Sequence, residues 1–474
     1  MHPGRVLFCV VSTAVLTVGL PTQGAAANPP PEPAWHSCRE NTEFDCATVT
    51  VPIDWSNPAG ATIDLALIRD RAGDAAHKVG TLISLPGGPG TSGVDEIMQG
   101  GEFSPELRAR FDIVSLDPRG VGRSHEVRCD SGLAAHRPNM VPDNGGRIED
   151  AHTYAKDLAD SCRAFTGTLV DHLDQVSVAR DVDAVRAALH EDRITLYSRS
   201  YGTMPAQAYA ELFPRRLRAS LLDSVDDHSL DGPAFLASEA RAGQDSFDEF
   251  AAWCERDEQC LLHGRDVRRM YGDLVARARR GELSDSNQQL DQLALSRRIT
   301  QRLEGPEWAQ LATDLQTLTD RPAQDPQPRS PVRRSGLPTP MPEVAMCSDW
   351  NFDIGDQREW LRLWDEQNAN APVLRSHFAW DAGTLCSGWP VRPGNPQHRP
   401  DIRQGPAILV MNSAHDPATP HEWAAGVTAH TARATLLTYT GWGHGTYSRT
   451  PCTTAAADRY LIDLTMPALS ECNP

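Results

Sequence analysis

The tightest constraint on how this chain folds is a set of short apolar runs in which polar residues scarcely alternate. Phe111-Asp112-Ile113-Val114-Ser115-Leu116 and Ala407-Ile408-Leu409-Val410-Met411 are the clearest. A strand with one wet face alternates apolar and polar residues, whereas a nearly continuous run requires cover on both faces, as in a largely parallel sheet between helices. Similar runs bounded by turn residues fall at Val49 to Ile53, Ile63 to Arg69, Thr81 to Leu85, Ile194 to Ser198, Ser220 to Ser224 and Ala434 to Tyr439. Eight strands are therefore expected. Between the fourth and fifth, Val178, Val182, Val185 and Leu189 recur at helical spacing within Ser177 to His190 and form one core-facing stripe. The fold class is α/β.

At 474 residues the chain exceeds what one core usually serves, about 250 to 300 residues. The excess lies between the sixth and seventh strands, where residues 226–405 are rich in Arg, Asp, Glu, Ala and Leu and poor in strand character. This block reads as a helical cap inserted into a sheet core formed by 28–225 and 406–474, since the last two strands come after it. Within it, Arg321 to Pro342 carries seven prolines and is expected to be an irregular, mobile loop.

The first residues have the order of a secretory signal: Arg5, an apolar run from Val6 to Leu20, then Ala25-Ala26-Ala27 as the cleavage region. A membrane anchor is the weaker alternative, because the run is short and ends at Pro21. Export implies an oxidising compartment, and ten cysteines remain once Cys9 leaves with the signal. Spacing leaves their connectivity open, although neighbours along the chain could pair as 38 with 46, 129 with 162, 254 with 260, 347 with 386, and 452 with 472. Neither C-x-x-C nor H-E-x-x-H occurs, so no metal and no cofactor is expected. With 45 Lys and Arg against 63 Asp and Glu, the net charge of −18 opposes binding to phosphate backbones and excludes nucleic acid as an expected partner. Stable membrane association is likewise not expected.

The fifth strand runs directly into Ser198-Arg199-Ser200-Tyr201-Gly202-Thr203 and then a helix-like segment stopped by Pro214. A serine on such a sharp strand-to-helix turn needs small residues two before and two after it, and Ser198 and Gly202 supply them. After the third strand comes Leu85-Pro86-Gly87-Gly88-Pro89-Gly90, where glycines allow backbone N–H groups to approach a ligand. The N–H groups of Gly88 and Tyr201 would form an oxyanion hole. Asp416 follows the seventh strand and His444 the eighth. A serine hydroxyl becomes a useful nucleophile when an imidazole removes its proton and a carboxylate fixes the imidazole tautomer. Ser200, Asp416 and His444 are therefore expected as a triad, in the chain order of α/β-hydrolases. His415 is a rival base, but it directly precedes the acid. Asp117 and Arg119, in D-P-R-G-V-G-R-S, are expected to build a structural turn.

Together, Pro86 to Gly90 with Ser92-Gly93, Asp117 to Ser124, Ser200-Tyr201-Gly202-Thr203, Cys347-Ser348-Asp349, Asp416 with Thr419-Pro420, and Gly443-His444 resemble the secreted tripeptidyl aminopeptidase group of actinobacterial α/β-hydrolases, related to the proline iminopeptidases. The chain departs from that group at Leu85, where the group tends to have asparagine, at Ser198 for glycine, and at Pro205. The resemblance implies an α/β-hydrolase fold and a peptidase acting on peptides with a free N-terminus.

Such an enzyme would hydrolyse a peptide bond near the terminal ammonium through an acyl-enzyme on Ser200. It would measure its distance from that ammonium with a carboxylate, for which Asp349 is the first candidate and a structural role the alternative. Trp350, Trp360, Trp364 and Trp380 are expected in the core or around a side-chain pocket. A secreted carboxylesterase with the same triad, and an inactive scaffold used for binding, remain as other readings.

Overall fold

The computed structural model describes Met1 and residues 31–474, apart from 102, 286–287, 306, 327–330 and 376–377. The expected signal segment and Cys9 lie outside the described residues. Ten strands form one sheet: β1 (His36–Ser37), β2 (Asp45–Pro52), β3 (Thr62–Asp70), β4 (Gly80–Leu85), β5 (Phe111–Leu116), β6 (Ile194–Ser200), β7 (Leu217–Val225), β8 (Ile408–His415), β9 (Ala434–Trp442) and β10 (Glu471–Cys472). Their order across the sheet is β1-β2-β3-β5-β4-β6-β7-β8-β9-β10. The β1–β2, β2–β3 and β3–β5 pairs are antiparallel, and every pair from β5 to β10 is parallel. All eight expected strands are present. The two additions, β1 and β10, are two-residue edge strands with no apolar pattern to announce them.

The continuous runs are covered on both faces. Leu222 and Val410 join one core cluster, while their neighbours Leu221 and Leu409 join another on the opposite side, because successive side chains on a strand point to opposite faces. The predicted helix forms at Gln175–Ala188, begun by Asp174, whose carboxylate accepts the Ser177 N–H at 2.8 Å. Val178, Val182 and Val185 are buried on it.

Among the described residues six α-helices lie between β7 and β8: Gly232–Arg256, Val267–Arg279, Gln292–Glu304, Trp308–Asp320, Gln357–Asn370 and Phe378–Ser387. The first four enclose a separate core around Phe247, Tyr271, Leu295 and Leu311. The last two bring Trp360, Trp364 and Trp380 into the main sheet core, each fully buried. The proline-rich segment is less free than expected. Pro338–Pro340 pairs antiparallel with Arg128–Asp130, and Asp130 accepts the N–H groups of Ser335 and Gly336 at 2.8 and 2.7 Å.

The ten cysteines pair as neighbours: 38–46, 129–162, 254–260, 347–386 and 452–472. No helix among the described residues is long and apolar enough to cross a membrane. Arg119 grips Asp181 with two buried bonds of 2.6 and 2.7 Å and also donates to the half-buried carbonyls of Pro52, Ile53 and His172. Asp117 accepts the Val94 and Arg123 N–H groups, so the D-P-R-G stretch is a buried structural turn.

Candidate active site

Because β4 and β6 to β9 run parallel, the residues that follow them gather at one edge of the sheet. Ser200 ends β6 with φ of 56°, a left-handed turn that a side chain adopts at a cost, and the helix Thr203–Leu212 leaves directly from it. Gly202 is required by close approach: a Cβ there would lie 2.4 Å from Pro86 O and 2.5 Å from Leu85 O. Position 198 is less demanding, since Ser198 is fully buried and its hydroxyl donates to Leu221 O at 3.0 Å. Pro205 occupies the first turn of the helix, where its missing N–H leaves no bond unmade.

Asp416 lies on the loop after β8, 2% exposed. Its Oδ1 accepts the Ala418 and Thr419 N–H groups at 2.9 and 3.0 Å, its Oδ2 accepts the Thr419 hydroxyl at 3.0 Å, and both oxygens are 3.0 Å from His444 Nδ1. Burial pushes this carboxyl up, but His444 and the N–H donors outweigh it and hold the group below the usual carboxylate range. Burial pushes His444 down, yet Asp416 raises it, with help from Glu304 and against Arg199, to about 9. With Nδ1 committed to Asp416, Nε2 is the ring nitrogen left for proton transfer.

The loop bearing His444 is fastened to the end of β7. Gly445 N–H donates to Ser224 Oγ at 2.9 Å, and the Thr446 and Tyr447 N–H groups donate to Asp223 at 2.7 and 2.9 Å. On the neighbouring strand, Arg199 and Ser200 are the register partners of Asp223 and Val225. A Cβ on Gly445 would lie 3.2 Å from Arg199 Cδ, so the residues beside Ser200 and His444 touch. Ser200 and the loop bearing His444, with Asp416 bonded to its ring, thus lie along one stretch of sheet edge. His415 is held elsewhere: its Nδ1 is 2.7 Å from Asp245 and its carbonyl accepts the Ser246 hydroxyl.

The glycine loop abuts the serine, a Cβ on Gly87 falling 3.1 Å from Ser200 Cβ. Gly88, with φ of 115°, follows it. Among the described residues no acceptor is hydrogen-bonded to the N–H of Gly88 or of Tyr201.

Asp349 does not face a substrate. It is fully buried, with Oδ1 accepting from Gln175 N and Asn395 Nδ2 at 2.9 and 2.8 Å and Oδ2 accepting from Tyr201 Oη at 2.8 Å. Burial pushes it up to about 7. A carboxyl with both oxygens engaged internally has no side to offer an ammonium, and here it fixes the residue after Ser200. Sequence reasoning gave no role to Thr419, whose hydroxyl also lies 3.4 Å from His444 Nδ1, nor to the 2.8 Å ion pair of Arg199 with Glu96 beside the serine. Thr419 stood within a recognisable D-P-A-T-P loop, but Glu96 carried no signal at all.

Residues 371–472 match a family model described as TAP-like protein. The chain is 30% identical to serine protease Hip1 of Mycobacterium tuberculosis, across 89% of this chain and 86% of that protein. It is 27% identical to tripeptidyl aminopeptidase of Streptomyces lividans, across 90% and 84%. Carboxylesterase B of M. tuberculosis is 29% identical, across 94% and 90%.

Proposed function

This chain belongs to the tripeptidyl aminopeptidase group of α/β-hydrolases and is a serine hydrolase, and from that footing we propose that it is a secreted exopeptidase that cleaves peptides near a free N-terminus. Ser200 is the nucleophile. His444 Nε2 takes the hydroxyl proton as Oγ attacks the scissile carbonyl, then returns it to the leaving amine. Asp416 holds the ring tautomer and stabilises the imidazolium. The N–H groups of Gly88 and Tyr201 receive the oxyanion, and Asp349 keeps Tyr201 in place through its hydroxyl. Water then releases the acyl group by the same steps in reverse.

The observation that carries this reading is the Asp416 cradle, which presents two oxygens at 3.0 Å to His444 Nδ1 while Ser200 occupies a left-handed turn on the adjoining edge. Five disulfides favour an oxidising destination, which suits export with cleavage near Ala27. A carboxylesterase reading is supported by the relative of that name and uses the same residues on an ester.

The test is mass spectrometry of products from a small library of free and N-acetylated peptides. Short N-terminal fragments from free peptides only are expected, and equal cleavage of acetylated peptides rules the exopeptidase reading out. Ser200→Ala should lose roughly a million-fold in kcat, together with fluorophosphonate labelling.

A further inference from the structure

Asp226 is the residue immediately after β7, whose last member, Val225, is the register partner of Ser200. Neighbouring strands lie about 4.7–4.9 Å apart, so the Asp226 backbone is roughly 5–6 Å from that of the serine. Its main chain is fixed, the N–H donating to Thr203 Oγ1 at 3.0 Å and the carbonyl accepting from Gln207 Nε2 at 2.9 Å. Its side chain is different. The residue is only 8% exposed, yet among the described residues no donor is hydrogen-bonded to its carboxyl oxygens.

The charges acting most strongly on Asp226 are Glu239 on the helix Gly232–Arg256, then His444, Asp416 and Asp227. Three of the four are acidic, none is a lysine or arginine, and Asp227 is itself occupied by the Ser229 N–H and hydroxyl. A mostly buried carboxyl without protein donors and among other carboxyls is an expensive arrangement for stability alone. Burial, with Glu239, Asp416 and Asp227, pushes it up to about 8 against the downward pull of His444, so the protonated form is favoured at neutral pH while nothing is bound. An arriving ammonium reverses the balance by supplying both the missing donors and the missing positive charge.

We propose that the Asp226 carboxylate binds an ammonium group on the acyl side of the substrate, next to the bond under attack. This rests on the peptidase reading and deepens it. The cation is either the terminal α-ammonium or the side chain of a lysine that provides the scissile carbonyl. A tripeptide places its terminal ammonium about 7–10 Å from that carbonyl and a single residue much nearer, so substrate length reports the offset.

The experiment compares p-nitroanilides of alanine, trialanine, N-acetylalanine and N-acetyllysine on the wild type, Asp226→Asn and Asp226→Glu, with competent active sites counted by fluorophosphonate labelling. The wild type should prefer an ammonium-bearing substrate over N-acetylalanine by about tenfold or more in kcat/KM, mainly through KM. Asp226→Asn should bring that ratio close to one and Asp226→Glu should restore part of it. Preference for alanine or trialanine identifies the terminal ammonium, and preference for N-acetyllysine the side chain. A ratio that survives Asp226→Asn overturns the proposal. Independently of any variant, n-butylammonium should inhibit the wild type at a concentration about tenfold or more below n-butanol, and equal potency also overturns it. Should the wild type cleave no anilide yet hydrolyse p-nitrophenyl acetate, the peptidase reading falls. The site is then decided on the p-nitrophenyl ester of alanine, where an Asp226-dependent preference over the acetate supports it and its absence sinks it.

Discussion

A methyl group at position 202 would meet two backbone carbonyl oxygens at 2.4 and 2.5 Å, atoms that cannot swing aside as a side chain could. Gly202→Ala should therefore push the serine turn away from the glycine loop, costing about 1–3 kcal/mol by denaturant unfolding and most of the fluorophosphonate labelling. Ser198→Gly is expected to be mild, within about 1 kcal/mol, because the serine already fits and only its bond to Leu221 O is lost. The proton balance of His444 makes a second residue-level prediction. Only the neutral ring can act as base, and Asp416 raises it to about 9 against the downward pull of burial, so kcat/KM should climb with pH through an apparent pKa well above 6.5. A rate profile already flat above pH 7 would contradict this. The folded value exceeds the unfolded one, so the stabilisation His444 draws from this pair is complete below about pH 6.5, as long as Asp416 stays ionised, and disappears as pH rises through 9. At this scale the three residues proposed as the triad stood out because small neighbours, a D-P loop and a G-H-G turn each carry local constraints. Asp349 misled because its C-x-D context is equally satisfied by an inward carboxylate, and Asp226 was silent because nothing in its neighbours reveals which side chain lacks a donor.

Among the elements, strands covered on both faces were the most legible, since burial leaves no choice of composition. The edge strands β1 and β10 depend instead on disulfides 38–46 and 452–472, which fasten them to β2 and to the helix Pro451–Asp463. The proline-rich segment was legible only as irregular. Beside its backbone pairing with Arg128–Asp130, it is anchored by the Asp130 carboxylate, which burial pushes up but N–H groups from Ser335, Gly336, Leu133 and Gly132 bring down to about 2. The bridge of Cys347 with Cys386 ties the turn Pro342–Ser348 to the helix Phe378–Ser387 across 39 residues, immediately before Asp349. Loop-closure entropy puts its contribution at about 4 kcal/mol. Replacing both cysteines by serine should lower the thermal midpoint and, by loosening Asp349 and hence Tyr201, also lower kcat. A lower midpoint with unchanged kcat would show that Asp349 does not position the residue after the nucleophile.

For the molecule as a whole, the helical insertion grips the loop that carries His444. His444 N–H and Arg449 both donate to Glu304 O, at 2.8 and 3.0 Å, at the end of the helix Gln292–Glu304. Trp442, just before the histidine loop, packs edge-on against Trp308 at 4.9 Å and donates to Glu249 at 3.1 Å. These contacts make the insertion a wall of the site, with its own core of Phe250, Leu311 and Leu315 behind it. Two consequences separate this arrangement from a loosely attached lobe. Unfolding of the insertion should release His444, so activity and insertion structure should be lost in one thermal transition, not two. Trp308→Ala should cost about 3–5 kcal/mol, because a buried ring is deleted from the insertion core. It should also reduce kcat more than it raises KM, since what loosens is the base and not the substrate's seat. Calorimetry paired with residual activity along the same temperature ramp checks the first expectation, and steady-state kinetics of the variant well below its midpoint checks the second. A variant that unfolds earlier but turns over normally when folded would show that Trp442 and Glu304 hold the histidine loop without Trp308.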